Sequence, residues 1–214
     1  MKYDIIIWDF NGTILDDVNL CHQILNQMLS EHHLPTVTLE EYRNIFGFPV
    51  IDYYRKVGFN VDNGEYDKLS VEFMELYQKA SLSCPLYTNL VSTLQKIKEN
   101  NILQVCLSAS QIDNLKQQLA HFKIDSYFDF VLGLDNIHAK SKLHLGQNWI
   151  QQNHFENKKI LCIGDSVHDF EVATSLNADC VLMSYGHFLK HRLEKTNCIV
   201  LDDLNALLHY LDIE

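Results

Sequence analysis

Ile5-Ile6-Ile7-Trp8-Asp9-Phe10-Asn11-Gly12-Thr13 decides how the rest of the chain is read. An unbroken apolar run of this length suits a strand covered on both faces, as in the parallel sheets of α/β proteins. The run ends in a carboxylate, and Gly12 then supplies a turn. Asp9 is therefore expected at the carboxyl edge of a central strand, where open α/β sheets place their ligands.

Strand-like runs recur at Asp4–Asp9, Leu103–Ser108, Phe128–Leu132, Lys159–Gly164 and Cys180–Met183, with a short one at Cys198–Leu201. Amphipathic helical patterns separate most of them. Leu90, Leu94 and Ile97 share a face, as do Ile112, Leu115 and Leu119, and Leu204, Leu207, Leu208 and Leu211 mark a closing helix. Strands alternating with helices predict a mainly parallel sheet of about five or six strands with helices on both faces. Residues 15–83 break the alternation. Cys21, Ile24, Leu25, Met28 and Leu29 form a helical stripe, and further helical segments follow near Leu39–Phe46, Val50–Val57 and Glu65–Ala80. With no strand among them, residues 15–83 read as an all-helical cap inserted after the first strand, leaving 1–14 and 84–214 as the core domain.

A chain of 214 residues, 47% of them hydrophobic, is long enough for one core and one smaller insert. No apolar stretch approaches the length that spans a bilayer, and the chain enters a strand directly after Lys2, which argues against a secretory signal. The six cysteines show no paired short spacing, and Cys106 and Cys162 sit inside apolar strand patterns. Buried thiols and a cytoplasmic location are expected. A formal net charge of −11 with no basic run argues against nucleic acid as partner. It leaves room for a small phosphorylated ligand, because one bound cation and one lysine make a local positive site.

Two further stretches carry candidate chemistry. Leu103-Gln104-Val105-Cys106-Leu107 leads into Ser108-Ala109-Ser110, a small-residue turn before a helix, where a hydroxyl and N–H groups suit phosphate oxygens. Ser is also a common helix cap there. In Ile160-Leu161-Cys162-Ile163-Gly164-Asp165-Ser166-Val167-His168-Asp169, an apolar run ends in Gly-Asp, with a second Asp at the start of a helix.

Together these stretches resemble the haloacid dehalogenase superfamily. Asp9-Phe10-Asn11-Gly12-Thr13 is similar to its first motif, Asp-x-Asp-Gly-Thr in the phosphatases, with Asn11 in place of the second Asp. Ser108 matches the second motif by its place at a strand end, and Gly164-Asp165 with Asp169 matches the fourth. The third motif is a lysine at a helix start, for which Lys142 is favoured, after a Ser141 cap, and Lys140 is the alternative. The resemblance implies a Rossmann-like core and a helical cap of the phosphoglycolate-phosphatase-like group.

It also implies a Mg²⁺-dependent phosphatase acting on a small phosphorylated metabolite as a monomer or homodimer. Asp9 would attack phosphorus and form an aspartyl-phosphate, with Lys142 neutralising charge. Asp9, Asp165 and the backbone carbonyl of Asn11 would ligate Mg²⁺, and Asp169 would be a water-mediated ligand or an organiser of Lys142. Gly12, Thr13, Ser108, Ala109 and Lys142 would line the phosphate subsite. Arg43 and Gly47, in the stretch Phe46-Gly47-Phe48-Pro49, resemble the substrate-facing cap segment.

The departure at Asn11 removes the residue that would protonate the leaving group and then activate water. Such catalysis is worth about 10²–10⁴-fold. Four explanations are open: a substrate with a good leaving group, a proton from a cap residue such as His22 or from a substrate hydroxyl, binding or regulation with little turnover, and deamidation of Asn11-Gly12 to Asp. Phosphonatase chemistry, which also lacks the second Asp, is disfavoured because the nearest lysine after the cap loop is Lys56. Dehalogenation is disfavoured by the paired acids of the fourth motif.

Several residues are set aside. His187 and His191 share a helical spacing but lack a third nearby ligand, so surface or satisfied core histidines are expected, as for His32-His33. His168 is expected to point away from the site if the helix starts at Asp169. Asp16 or Asp17 is expected to cap the first cap helix. Tyr53, Tyr54, Tyr66 and Phe73 read as cap core rather than substrate pocket.

Overall fold

A computed structural model describes residues 2–134 and 142–213. Its sheet is parallel throughout, in the order β3-β2-β1-β4-β5-β6. The strands are β1 (Ile5–Trp8), β2 (Leu103–Gln111), β3 (Phe130–Leu134), β4 (Ile160–Gly164), β5 (Asp179–Met183) and β6 (Ile199–Leu201). All four residues of β1 are buried, because it lies between β2 and β4 with helices over both faces. Chain connection reverses direction across β1, so the β1–β4 edge is the sheet's switch point, the place where such folds bind ligands.

One face carries Ile6, Trp8, Cys106, Leu161 and Ile163 against α5 (Leu90–Glu99), α6 (Ile112–His121) and α10 (Leu204–Tyr210). The other carries Ile5, Ile7, Val105 and Leu107 against α7 (Leu143–Gln152) and α8 (Val167–Ser175). Each fully buried Leu or Ile contributes about 1.5–3 kcal/mol relative to exposure. The Trp8 indole N–H donates to the buried Gln104 side chain (3.2 Å), whose amide in turn donates to Leu94 and Tyr127 carbonyls.

The alternation of strand and helix was read correctly, with strand bounds differing by one or two residues except in β2. The predicted turn at Ser108–Ser110 is instead a bulged continuation of that strand, which re-pairs at Gln111 with Leu134. Gly133 permits the bulge: a Cβ there would sit 2.9 Å from the Ser110 carbonyl oxygen. The cap of the following helix is Gln111, whose side chain accepts from the Asp113 and Asn114 N–H groups. Ser108 is therefore not a cap.

Between β1 and α5 lie α1 (Val18–Glu31), α2 (Leu39–Ile45), α3 (Val50–Val57) and α4 (Glu65–Ser81), with no strand among them. They share a separate apolar cluster that includes Leu25, Met28, Tyr42, Tyr54, Leu69 and Tyr77. The chain leaves and re-enters the sheet layer side by side, where Leu15 pairs with Leu86 and the Asp16 N–H donates to the Pro85 carbonyl. The helix α9 (Lys190–Leu193) follows β5. All six cysteines are free thiols. No helix among the described residues is long and apolar enough to cross a membrane.

Candidate active site

Strand β1 ends at Trp8, and the Asp9 N–H donates to Ile163 of β4, which sets Asp9 at the carboxyl edge of the sheet. The chain then turns tightly: Gly12 has φ +73°, and its N–H donates to Leu15 O (3.0 Å) and to Asp17 Oδ1 (2.9 Å). A side chain at position 12 would collide with Asp165 and His187, so Gly is required by conformation and by space. Thr13 is fully buried and donates to Asp165 Oδ1 (3.3 Å).

Strand β4 ends in Gly164, and Asp165 lies beside Asp9. Ser166 caps α8 in a capping box with Asp169, accepting from the Asp169 N–H while Asp169 Oδ2 accepts from the Ser166 N–H (3.0 Å) and hydroxyl (2.6 Å). The other Asp169 oxygen accepts from Lys142 Nζ (2.6 Å), and Lys142 also donates to Asp9 Oδ1 (2.5 Å). Lys142 is buried at the N-cap position of α7 and bridges the two carboxylates. Of the two predicted lysines, Lys140 and the expected cap Ser141 lie outside the described residues. Asp169 therefore organises Lys142 directly, while also closing the helix start.

Three buried carboxylates against one lysine leave a surplus of negative charge. Burial lifts the Asp9 carboxyl to about 8, reinforced by repulsion from Asp169 and Asp165 and only partly offset by Lys142. Asp165 is likewise pushed up to about 6 by burial, against the pull of His187. Burial pushes Asp169 up, but the Lys142 charge with the hydrogen bonds from Lys142 and Ser166 together hold it below its ordinary value. Oxygens of Asp9, Asp165 and Asp169 lie within 4.8 Å of one another. An all-oxygen cluster with surplus negative charge fits a hard divalent cation such as Mg²⁺.

Asn11 is fixed at both ends. Its Oδ1 accepts from the Ser110 hydroxyl (3.1 Å), and its Nδ2 donates to Asp17 Oδ2 (2.8 Å) and to Tyr77 Oη (2.6 Å). Ser108 lies next to this, its hydroxyl accepting from the Ser110 N–H and donating to the Ser110 hydroxyl (both 3.1 Å). Asp17 occupies the N-cap position of α1 yet makes no side-chain cap bond, contrary to the expected role. It is turned under the Gly12 loop instead, accepting from Gly12, Asn11, the Tyr77 hydroxyl (2.6 Å) and His187 Nε2 (3.1 Å). These partners overcome burial and keep the Asp17 carboxyl below its ordinary value.

His187 is a satisfied core histidine. Its Nε2 faces Asp17 and its Nδ1 faces the Tyr42 hydroxyl (2.7 Å), while its backbone N–H donates to Asp165 Oδ2 (2.5 Å). Burial works against its charge, but Asp17 outweighs it and raises the imidazole above its ordinary value. His191 is exposed, as are His32 and His33.

These groups open onto a cavity of about 190 Å³ lined by Asp9, Asn11, Ser108, Ala109, Lys142, Asp165 and Asp169 at one end. The opposite wall is aromatic and comes from the cap: Phe46, Phe48, Tyr53, Tyr54, Tyr66, Phe73 and Tyr77. The tyrosines and Phe73 belong to the cap's apolar cluster and also face the cavity, so the reading of that set as core alone is corrected. His168 lines the cavity too, its ring 4.8 Å from that of Phe48. The expectation that it points away fails because α8 begins at Val167, not Asp169.

The cap residues predicted to face substrate do otherwise. Arg43 Nη2 donates to the Ser184 (2.8 Å) and Phe188 (3.0 Å) carbonyls, and Arg192 reaches back to the Arg43 and Phe46 carbonyls (2.8 Å each). Arg43 thus fastens α2 to the loop after β5, and neither it nor Gly47 lines the cavity. His22 is bonded to Val37 O and Asn26 inside the cap and does not line the cavity either. Asp17, Tyr77, Ser110 and His187 are the site residues that sequence reasoning missed. The contacts that join them, Tyr77 and His187 on Asp17 and Ser110 on Asn11, lie far apart along the chain, and no local pattern marks them.

The sequence profile of the haloacid dehalogenase-like hydrolases matches residues 6–183. The chain belongs to that family. Among relatives of this hydrolase is the phosphoglycolate phosphatase of Psychrobacter arcticus, 26% identical over 99% of this chain and 96% of its own. That of Pseudomonas putida is 23% identical over 95% of this chain and 78% of its own. Solved structures with the same fold include a haloacid dehalogenase-like hydrolase from Streptococcus pneumoniae, with a TM-score of 0.85 at 14% identity, covering 98% of this chain and 99% of that one. A predicted phosphatase from Clostridium acetobutylicum gives 0.81 at 18% identity, covering 98% of each chain.

Proposed function

We propose that this family member is a Mg²⁺-dependent phosphatase of a small phosphorylated metabolite, with Asp9 as the nucleophile. The observation that carries this is Lys142 bridging Asp9 and Asp169 at the β1–β4 edge, beside Asp165. Asp9, Asp165 and the Asn11 backbone carbonyl would hold Mg²⁺, with Asp169 reaching it through water. The ion would neutralise phosphoryl charge and keep Asp9 ionised. Lys142 holds one Asp9 oxygen and leaves the other to attack phosphorus in line. The N–H groups and hydroxyls around Gly12, Thr13, Ser108 and Ala109 would hold the phosphoryl oxygens. Residues 15–83 act as the cap over a core of 1–14 and 84–214, and the six free thiols fit a cytoplasmic location.

The step is a transfer to Asp9: a carboxylate oxygen bonds to phosphorus, the leaving oxygen departs with its electron pair, and water later displaces the Asp9 carboxylate to give inorganic phosphate. The test is phosphate release with Mg²⁺ across sugar phosphates, 2-phosphoglycolate, acetyl phosphate and aryl phosphates, together with intact mass of the protein. Release that is abolished in Asp9→Asn, with one phosphoryl group added to the native chain during turnover, is expected. No release and no adduct with any of them would overturn the reading.

One observation favours a second reading, a phosphate-ligand binding or regulatory protein with little turnover. Asn11 is locked between Ser110, Tyr77 and Asp17, and offers no base to activate the water of the second step. Tight Mg²⁺-dependent binding of inorganic phosphate without release from any ester would support it.

A further inference from the structure

Resting on the phosphatase reading, we propose that the substrates are phosphate esters of aromatic hydroxyls, whose oxygen leaves without a donated proton and whose ring is held by the cap wall. Two independent features converge on this class. The first is that none of the groups bonded around Asn11 has a proton to deliver, while His168, also on the cavity wall, has its Nδ1 on Glu171 (3.2 Å). Asn11 Nδ2 is already spent on Asp17 and Tyr77, and an amide cannot give up a proton at neutral pH. The Tyr77 hydroxyl donates to Asp17, and both His187 nitrogens are occupied. His22 is hydrogen-bonded to Val37 O and Asn26 within the cap, away from the cavity.

The second feature is the wall facing Asp9. Phe46 and Phe48 lie edge to face (5.7 Å between centroids), and Phe73 is stacked parallel to Tyr77 (5.7 Å, 14°), so flat apolar surface borders the phosphate end. Aromatic guests gain from such walls through offset and edge contacts. A carboxylate-bearing guest such as 2-phosphoglycolate would need a second cation. Among the described residues, Lys142 is the one lysine or arginine lining the cavity, and it is committed to Asp9 and Asp169. Arg43 is committed to the Ser184 and Phe188 carbonyls.

The bonding changes balance without an acid. An Asp9 oxygen bonds to phosphorus as the phosphorus–aryloxy bond breaks, the electron pair leaves on the phenolate, and bulk water protonates it. Water then attacks the aspartyl-phosphate, the Asp9–phosphorus bond breaks, and the water proton passes to solvent. Delocalisation into the ring replaces the missing acid in the first step. The second step has no base, so it is the slower one.

The test is kcat/KM of the Mg²⁺-loaded protein for phenyl phosphates of graded ring substitution, for acetyl phosphate, and for glycerol phosphate and 2-phosphoglycolate. Phenyl phosphate is expected to exceed both alkyl esters by about 10²-fold or more, the size of the missing acid–base contribution. Within the aryl series kcat/KM should rise as the phenol becomes more acidic. Phe48→Ala should raise KM for phenyl phosphate about 2–10-fold, the worth of one aromatic contact, and more than for acetyl phosphate, which has a good leaving group and no ring.

Equal or better turnover of 2-phosphoglycolate or glycerol phosphate would overturn the proposal while leaving the phosphatase reading intact. So would a flat aryl series, or a His168→Gln variant that slows alkyl esters selectively, since either reveals a working acid. No Asp9-dependent release from any ester would instead bring down the phosphatase reading, and this one with it.

Discussion

The two ends of the cavity are built by opposite physics. At the sheet edge, three carboxylates and a lysine are desolvated together, and every contact is charged or strongly polar. At the cap, rings pack on rings, and the polar groups nearest Asn11 are bound to one another. The difference teaches that the groups carrying the proposed chemistry are confined to the sheet edge. The cap supplies shape and a fixed hydrogen-bond frame, and none of its histidines lines the cavity.

The sharpest way to break this contrast is at the charged end. Lys142→Met is expected to lower kcat/KM by at least about 10³-fold, because it strips the counter-charge from Asp9, the proposed nucleophile. It also leaves Asp9 and Asp169 buried without their partner, a loss of about 3–5 kcal/mol by denaturant unfolding. Activity within tenfold of native would show that Lys142 is only structural.

The contact between the two ends is Asn11 on Asp17. Restoring the acid with Asn11→Asp alone sets two carboxylates where a 2.8 Å hydrogen bond now runs. One of them must take up a proton or the pair must move apart. The single variant is expected to be destabilised by about 1–3 kcal/mol, and Asn11→Asp with Asp17→Asn to recover much of that. A double-mutant cycle by chemical denaturation measures the coupling, and strict additivity would show that the two side chains do not interact. Activity gained on alkyl esters in the double variant, by up to about 10²-fold, would locate the missing proton at position 11.

Sequence pattern made the charged end legible and left the other end dark. Asp9 and Asp165 stand where apolar runs stop, so strand-edge logic finds them, while Asp169 and Lys142, both at helix starts, were picked out by the family resemblance. Asp17 stands at a helix start as well, which is why capping was expected. Its carboxylate is claimed by Gly12, Tyr77 and His187, partners brought in by tertiary packing. Arg43 misled for a related reason: a cationic cap residue suggests an anionic substrate, whereas the guanidinium is absorbed by carbonyls of the core. The alternation of strands with helices and the helical insert followed from periodicity, whereas the spatial order of the strands is set by packing. The bulge after Ser108 did not, because it depends on Gly133 in the neighbouring strand.

Metal and pH sharpen the comparison further. In metal-free protein the Asp9 carboxyl is raised from 3.8 to about 8, so the folded state holds that proton more tightly than the unfolded chain. Its contribution to stability is fully present below about pH 4 and is lost as pH rises through about 8. Metal-free protein is therefore expected to show this falling contribution in its Tm between pH 5 and pH 8 (about that range, from the same shift), with Mg²⁺ restoring the loss most at the alkaline end. A Mg²⁺ stabilisation that is larger at pH 5 would contradict the sign.

The smallest effect belongs to the strap between cap and core. Arg43→Ala removes two part-buried hydrogen bonds whose carbonyls solvent can then reach, so a net loss of about 1 kcal/mol is expected. A lower Tm with the relative KM values of phenyl phosphate and 2-phosphoglycolate preserved is expected. A selective rise in KM for 2-phosphoglycolate would return Arg43 to the substrate.

Rapid-quench measurement of the phosphoryl group on Asp9, with phenyl phosphate and Mg²⁺, tests the central claim most directly. A nucleophile without its proton shuttle should form the aspartyl-phosphate quickly and lose it slowly, giving a burst of phenol near one per site and an adduct that accumulates. Steady phosphate release with no burst and no detectable adduct would contradict it, because the second step would then have a base that this site does not contain.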